Sequence, residues 1–543
     1  MQKWLLTAVL VLAFFLRTLW LDRFPVGFTP DEASFGYDAY SILKTGKDQW
    51  GKPFPLVLES FGDFKSPLYA YLTVPSVAAF GLDKFAVRLP NAILGTLAVL
   101  AAYLLTTKLL NRKAGLISAL LLTVSPWHIM LSRGAFEANL ITFFIPFAVY
   151  LWLTERHNLS AILFGLSLFA YHSTKIITPI VFVTLFLVTK KKKLLPAIVF
   201  SLFFILMLYS MKLGGSARIS ERSITAGALE EGAKVKIELI QNGMNPVVAR
   251  LLHNKYQVTA KRFVANYKQY FSLRFLFLKG PAETTYGMLP GTGVLYLFEG
   301  ILLLGLIPAL KKKENKIPVL FLTAWLFLSP VPAAFSTGVG YSANRAVVMI
   351  PVIQILEAFG ALGWYGLLVK LDRRFLFAFP FVLAFLASGS FVKFKNLYFK
   401  DSPKTAARGM LYGNLEAADW LKENKGERKV VVSRSLSEPH IYIAFVNKWD
   451  PINYQESTKE WNYKEQDVNW VDQMSSYMLG DGDYVIQAVD WKKNTGKPNT
   501  LLVGRPGEFL ESAVPEKIIY YPDGTPAVYM VDSDATQLYA KAD

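Results

Sequence analysis

Eleven apolar stretches run through this chain of 543 residues, and they leave room for little besides a bundle of membrane helices. They lie at 4–21 and near 85–108, 114–131, 136–153, 159–173, 176–189, 194–212, 289–308, 317–334, 344–369 and 375–391. A perpendicular span takes about 20 residues, so several stretches are short and their ends loose. Charged residues make up 18% of the chain, against about 25% in a soluble domain; a wholly soluble or disordered protein is excluded. In a soluble protein a net charge of +17 would suggest nucleic acid. Here the basic residues fall in short runs between apolar stretches and report orientation instead, so no nucleic-acid partner is expected. With no cysteine, disulfides, thiolate metal sites and cysteine nucleophiles are excluded. The five histidines (128, 157, 172, 253 and 440) have no paired metal spacing.

The basic runs Arg112-Lys113, 190–193, 311–316 and Lys370 with Arg373-Arg374 fall on one side, which the positive-inside rule makes cytoplasmic. The first stretch starts like a signal peptide, but no small-x-small cleavage site follows, so it reads as a retained helix. The expectation is a mainly α, polytopic helical membrane protein of the plasma (inner) membrane with about eleven spans. Its N-terminus would be inside, and outward loops at 22–84 and 213–288 would accompany a small extracytoplasmic α/β domain at 392–543. The segment 66–81 is apolar but carries Pro67 and Pro75, and is placed at the outer interface. In the tail, a helix is predicted at 414–425, stopped by Gly426, with strands at 429–433, 441–446, 484–489 and 501–503. A hairpin over 518–531 turns at Asp523-Gly524.

Thr29-Pro30-Asp31-Glu32 fits a capping box, with Thr29 as N-cap, proline at the first helical position and Glu32 at the third. A generic helix start explains most such boxes. This one sits just outside the membrane, where a lipid head group can reach it. The box uses Glu32 and leaves Asp31 out, and a helix N-terminus favours an ionised carboxylate, the form a general base needs. Asp63 and Lys65 pair an acid and a base where the chain enters the interfacial segment; they are a solvated loop or a phosphate-binding cation. Arg133 and Glu137, at i, i+4 spacing, read as a structural ion pair or a functional one. Tyr171, His172 and Lys175, and Asn344 with Arg345, lie at outer helix ends. Lys65, Arg133, Lys175 and Arg345 together could surround one anionic group. Gly46 to Lys52 matches the phosphate-loop spacing and then fails, with Pro53 where a hydroxyl is needed.

The order of a long first helix, an outward loop opening on Asp-Glu, Lys65-Ser66-Pro67-Leu68-Tyr69 and Phe85-Ala86-Val87-Arg88-Leu89-Pro90 resembles the GT-C membrane glycosyltransferases. It is most similar to the bacterial branch near protein O-mannosyltransferases and the lipid A aminoarabinose transferase, over about residues 5–391. The resemblance implies transfer of a sugar, with inversion, from a polyprenyl-phosphate carrier to an outer-face acceptor: a protein, a lipid or a glycan. It implies Asp31 as base, Glu32 as its support and Lys65 on the carrier phosphate, helped by outer arginines. Glu137 stands where relatives often carry Asp. The loop 279–291 has Thr284-Thr285-Tyr286 where many relatives have a histidine. No cofactor is expected and a divalent metal is left open. The alternative reading is a multi-span transporter or lipid flippase. Against it stand the missing internal repeat and the acid pair on an outer loop rather than at the midplane.

Overall fold

A computed structural model describes all residues except 1, 61–62, 191–193, 216–222, 338–341, 372–373, 461–475, 480–483, 488–498 and 534–543. Helix α1 (Gln2–Thr18) leads into α2 (Pro30–Thr45), and the short antiparallel strands β1 (Leu58–Ser60) and β2 (Asp63–Lys65) follow. Then come α3 (Leu68–Phe80), α4 (Lys84–Leu109), α5 (Arg112–Val124) and α6 (Pro126–Ser132). The helices α7 (Ile141–Leu153), α8 (His157–Ser167), α9 (Thr174–Val188) and α10 (Leu194–Ser210) complete this half.

Among the described residues, five helices are long and apolar enough to cross a membrane: Lys84–Leu109, Leu194–Gly214, Lys313–Ala334, Val347–Leu371 and Ala378–Thr405. The pair α5 and α6, bent by 61°, makes a sixth. The eleven spans read from the sequence are not reproduced by helices of full spanning length. Several apolar stretches are interrupted: Pro126 restarts the chain as a new helix, and 136–153 begins as a 3-10 turn before α7. The Val347–Leu371 helix is 83% buried in its most apolar window and sits at the centre, while the Ala378–Thr405 helix is 6% buried and faces outward. The 66–81 segment forms the 13-residue α3, too short to span. The stretch 213–288 carries the helices Ala228–Gln241, Pro246–Leu252 and Lys255–Tyr270.

The tail builds a six-stranded mixed sheet in the order β4-β5-β3-β6-β8-β7. Its strands are β3 (Lys429–Ser433), β4 (Ser476–Leu479), β5 (Tyr484–Gln487), β6 (Thr500–Gly504), β7 (Lys517–Tyr520) and β8 (Pro526–Asp532). The helix Asn414–Asn424 and the β7–β8 hairpin match the sequence expectation. The run 441–446 does not: it is part of the helix Pro439–Asn447, with Pro439 in its first turn. That helix is buried on every side from Pro439 to Val446, so its apolar run has no helical period to read and resembles a core strand.

The tail packs on the first loop. Tyr442 donates to the Phe28 carbonyl at 2.7 Å and the Phe28 amide to the Met410 carbonyl at 3.2 Å. Tyr37 donates to the Trp449 carbonyl at 3.2 Å, and Gln455 Nε2 to the Asp48 carbonyl at 2.9 Å. Gly27 (φ 82°) passes so close to Met410 that a Cβ there would lie 2.4 Å from its carbonyl oxygen. Helix α2 is thereby held between the membrane bundle and the tail.

Two buried acids accompany α2: Asp38 on the helix itself and Asp48 just past its Gly46 end. Asp38 accepts from the Gln49 amide at 3.0 Å and from Gln49 Nε2 at 3.2 Å. Asp48 Oδ1 accepts from the amides of Trp50 and Lys52, both at 2.9 Å, while its Oδ2 is buried without a donor. Burial, reinforced by the charge of Asp48, pushes Asp38 up to about 7; burial pushes Asp48 up to about 6 against its two backbone donors. An acid whose folded value is raised binds its proton more tightly folded than unfolded. Its contribution is full below the ordinary carboxylate range and is lost as pH climbs through the raised value. The protein should therefore melt lower at about pH 8 than at about pH 5. Asp48→Asn keeps both backbone contacts and replaces the donorless oxygen by an N–H group, so it should flatten that fall. Thermal melts across this range check it; a variant with the wild-type pH profile contradicts it.

Candidate active site

The capping box forms as the spacing requires. The Glu32 amide donates to Thr29 Oγ1 at 3.3 Å and the Thr29 amide to Glu32 Oε2 at 3.0 Å. Gly46 ends the helix, which is the local use of the glycine in the failed phosphate-loop match. Glu32 is also one half of a fully buried ion pair. Arg88 on α4 reaches it through Nε at 2.8 Å and Nη2 at 3.2 Å. The remaining N–H groups of Arg88 go to the carbonyls of Leu21 (3.1 Å), Pro25 (2.9 Å) and Gly27 (2.8 Å). All five donors of one guanidinium are thus used, two on Glu32 of α2 and three on the chain between α1 and α2. The Ala135 amide adds a contact to Glu32 Oε1 at 3.1 Å.

With Glu32 turned inward, Asp31 faces Lys65. Its Oδ1 lies 3.1 Å from Lys65 Nζ; the lysine side chain is 1% exposed and the aspartate side chain 34%. The ammonium also lies 4.8 Å from the centre of the Phe35 ring. Such a buried cation is costly unless it is paired, and β2 and α3 place it beside Asp31. Asp63 lies on β2 opposite Ser60; its side chain is outside the described residues.

Lys65 lines a cavity with Ser66, Phe169, His172, Lys175 and Ser210. The Leu68 amide donates to the Phe169 carbonyl at 3.2 Å, which joins the start of α3 to the turn before α9. Lys65, His172 and Lys175, separate in sequence, therefore come together. Tyr171 is buried beside His172, with ring centres 6.0 Å apart.

Other expected members are elsewhere. Arg133 donates to the carbonyls of Leu16 (2.7 Å), Leu19 (2.6 Å), Trp20 (3.3 Å) and Phe24 (3.3 Å). It fastens the C-terminal end of α1 and is not among the residues lining the Lys65 cavity. The i, i+4 spacing of Arg133 and Glu137 does not put them on one helical face, because α6 ends at Ser132 and Phe136 is extended. Asn344 is 2% exposed with its carbonyl oxygen unbonded. Arg345 donates to Ser336 Oγ at 2.7 Å and the Thr337 carbonyl at 2.8 Å. Nearby, Glu283 of the loop 279–291 accepts from Ser342 Oγ at 2.5 Å, and burial holds its carboxyl above its ordinary value. Among the described residues no group of three or more His, Asp and Glu side chains is placed to hold a metal ion. Sequence reasoning gave Arg88 no role, although it lies in a quoted motif; an arginine in the first two turns of an apolar span was the available signal.

Residues 64–212 match the family described as dolichyl-phosphate-mannose-protein mannosyltransferase. A protein of Aquifex aeolicus described as uncharacterized is 28% identical over 171 residues, 31% of this chain and 33% of its own length. The match thus spans about a third of that relative. Among solved structures, ArnT from Cupriavidus metallidurans in the apo state is similar over 99% of this chain and 98% of its own, with 13% identity and a TM-score of 0.50. At that identity the likeness shows the fold. The same protein bound to undecaprenyl phosphate gives a TM-score of 0.49. The archaeal oligosaccharyltransferase AglB from Archaeoglobus fulgidus, with an inhibitory peptide and a dolichol-phosphate, gives 0.47 at 16% identity. There the similarity covers 82% of this chain and 63% of AglB. The matched family segment and the ArnT-like fold together support a GT-C superfamily glycosyltransferase.

Proposed function

We propose that this chain moves a sugar from a polyprenyl-phosphate carrier to an acceptor hydroxyl on the outer face of the membrane, inverting the anomeric carbon, with Asp31 as general base. The observation that carries the reading is the Asp31–Lys65 pair, a partly exposed carboxylate against a buried ammonium on the wall of a cavity that also holds Lys175. Asp31 takes the proton of the acceptor hydroxyl, whose oxygen bonds to the anomeric carbon as the bond from that carbon to the phosphate oxygen breaks. The lipid phosphate leaves with the electron pair, and Lys65, with Lys175, stabilises its charge. One base suffices and no protein nucleophile is needed. Glu32 does not compete as base, because both its oxygens are held by Arg88 and backbone amides; its part is to hold Asp31 in place. The dolichyl-phosphate-mannose description of the family matched over 64–212, and the undecaprenyl phosphate bound by ArnT, belong to the same class of carrier.

Asp31→Asn keeps the side-chain shape, the capping box and an oxygen for Lys65 while removing the base. Transfer of a labelled sugar from a polyprenyl-phosphate donor by purified protein should fall by about 10²–10⁴-fold per folded molecule, with donor affinity changed far less. A variant that melts like wild type and keeps near-full transfer rejects Asp31 as the base.

A further inference from the structure

Two helices outside this site approach more closely than any side chain would allow. A Cβ on Gly360 would lie 1.9 Å from the Leu302 carbonyl oxygen, and one on Gly305 would lie 2.1 Å from that of Gly360. The backbones of the Leu297–Leu304 and Val352–Leu371 helices therefore touch. One turn earlier on each helix stand Glu299 and Glu357, 1% and 0% exposed, with Gln354 beside them at 0%. The carboxyl of Glu299 interacts with the Glu357 carboxyl and the Gln354 amide without a hydrogen bond of ordinary geometry to either. Glu299 Oε2 accepts from the Tyr296 amide at 2.5 Å. Neither oxygen of Glu357, and neither polar atom of Gln354, has a hydrogen-bond partner.

This is an unusual place for two acids. Among the described residues no Lys, Arg or His ion-pairs with either. Of the charged groups on the packed helices, Arg88 is spent on Glu32, Arg112 and Lys113 begin α5 at the end away from Val124, and Lys370 closes its own helix. Tyr296 faces the pair but gives its hydroxyl to the Val124 carbonyl at 2.9 Å. Two carboxylates can only accept hydrogen bonds, so without a proton they confront each other as two anions with only neutral amides beside them. In a water-free interior, charge without a partner is avoided by neutralisation. One hydrogen converts one acid into a donor and the other into its acceptor.

We propose that Glu299 and Glu357 bind a proton between them, and that this shared proton ties the Leu297–Leu304 helix to the Val352–Leu371 helix. The tie sits where the loop 279–291 re-enters the bundle. That loop lays Tyr286 against Phe136, with ring centres 5.4 Å apart, and gives the Gly287 amide to the Met410 sulfur at 3.1 Å. Release of the proton sets two anions against each other and loosens the anchor of a loop beside the capping box.

Infrared difference spectroscopy of the full-length protein tests this without requiring a reagent to reach the pair. At neutral pH the wild type should show a carbonyl stretch of a protonated carboxylic acid that E299Q/E357Q lacks, and alkaline titration should remove it. Thermal melting supplies the second readout: wild-type stability should fall from neutral to alkaline pH more steeply than that of E299Q/E357Q, whose neutral amides keep a donor and an acceptor in place. Should the double variant not fold, E357Q alone must shift or remove the same band. Wild-type and variant spectra that coincide in the protonated-acid region overturn the proposal. So does a stability profile that depends on sodium or magnesium rather than on pH, since a bound cation would then occupy the site.

Discussion

The chain between α1 and α2 is organised by the ion pair between Arg88 and Glu32, and the candidate site depends on it. Both side chains are fully buried, where desolvation costs several kcal/mol per ion and breaking such a pair typically costs about 3–5 kcal/mol. The arrangement is tolerable because every donor of the guanidinium is used and both carboxylate oxygens are satisfied. Arg88 is rooted in α4, so the pair fixes the start of α2 relative to the membrane bundle. The capping box then sets the rotation of the helix: Glu32 at its third position points inward, and Asp31, one residue earlier, points toward Lys65. A buried pair used this way contributes position more than net stability.

The tail completes the enclosure from the other side. Tyr442 and Met410 bind the backbone of Phe28 just ahead of the capping box, and Gln455 braces the loop that carries Asp48. The buried acids Asp38, on the same helix, and Asp48, just past its end, lie close by, and the charge of Lys65 acts on Asp38. The electrostatics of the candidate site are therefore continuous with those of its support, and a change at Asp48 is felt near Lys65.

What the sequence made legible was local. The capping box, the helix over 414–425 and the hairpin at Asp523-Gly524 are each specified by residues within a few positions of one another. What it hid was set by distant partners. Lys65, His172 and Lys175 meet only because α3 packs against the turn before α9. Arg133 looked like one of a ring of outer cations, but its Nη groups go to the carbonyls of Leu16, Leu19, Trp20 and Phe24 at and beyond the end of α1, a demand that no spacing in the sequence announces. The pairing of Arg133 with Glu137 assumed a continuous helix through Gly134, where the chain breaks. The helix Pro439–Asn447 was mistaken for a strand because burial on all sides erases its period. Glu299 and Glu357 sit in apolar stretches that composition alone assigns to spans, and only the glycine-tight crossing makes them neighbours.

The central claim is that the cavity walled by Lys65, His172 and Lys175 receives the phosphate of a lipid carrier beside Asp31. Photolabelling addresses it most directly: the full-length protein in detergent is loaded with a polyprenyl phosphate bearing a photoreactive group in the isoprene unit next to the phosphate, and the adducts are mapped by mass spectrometry. The account predicts labels on 56–67 and 168–175 that excess unlabelled polyprenyl phosphate removes and that Lys65→Ala weakens. Competable labels confined to helices away from these segments, with none beside Lys65, would contradict it.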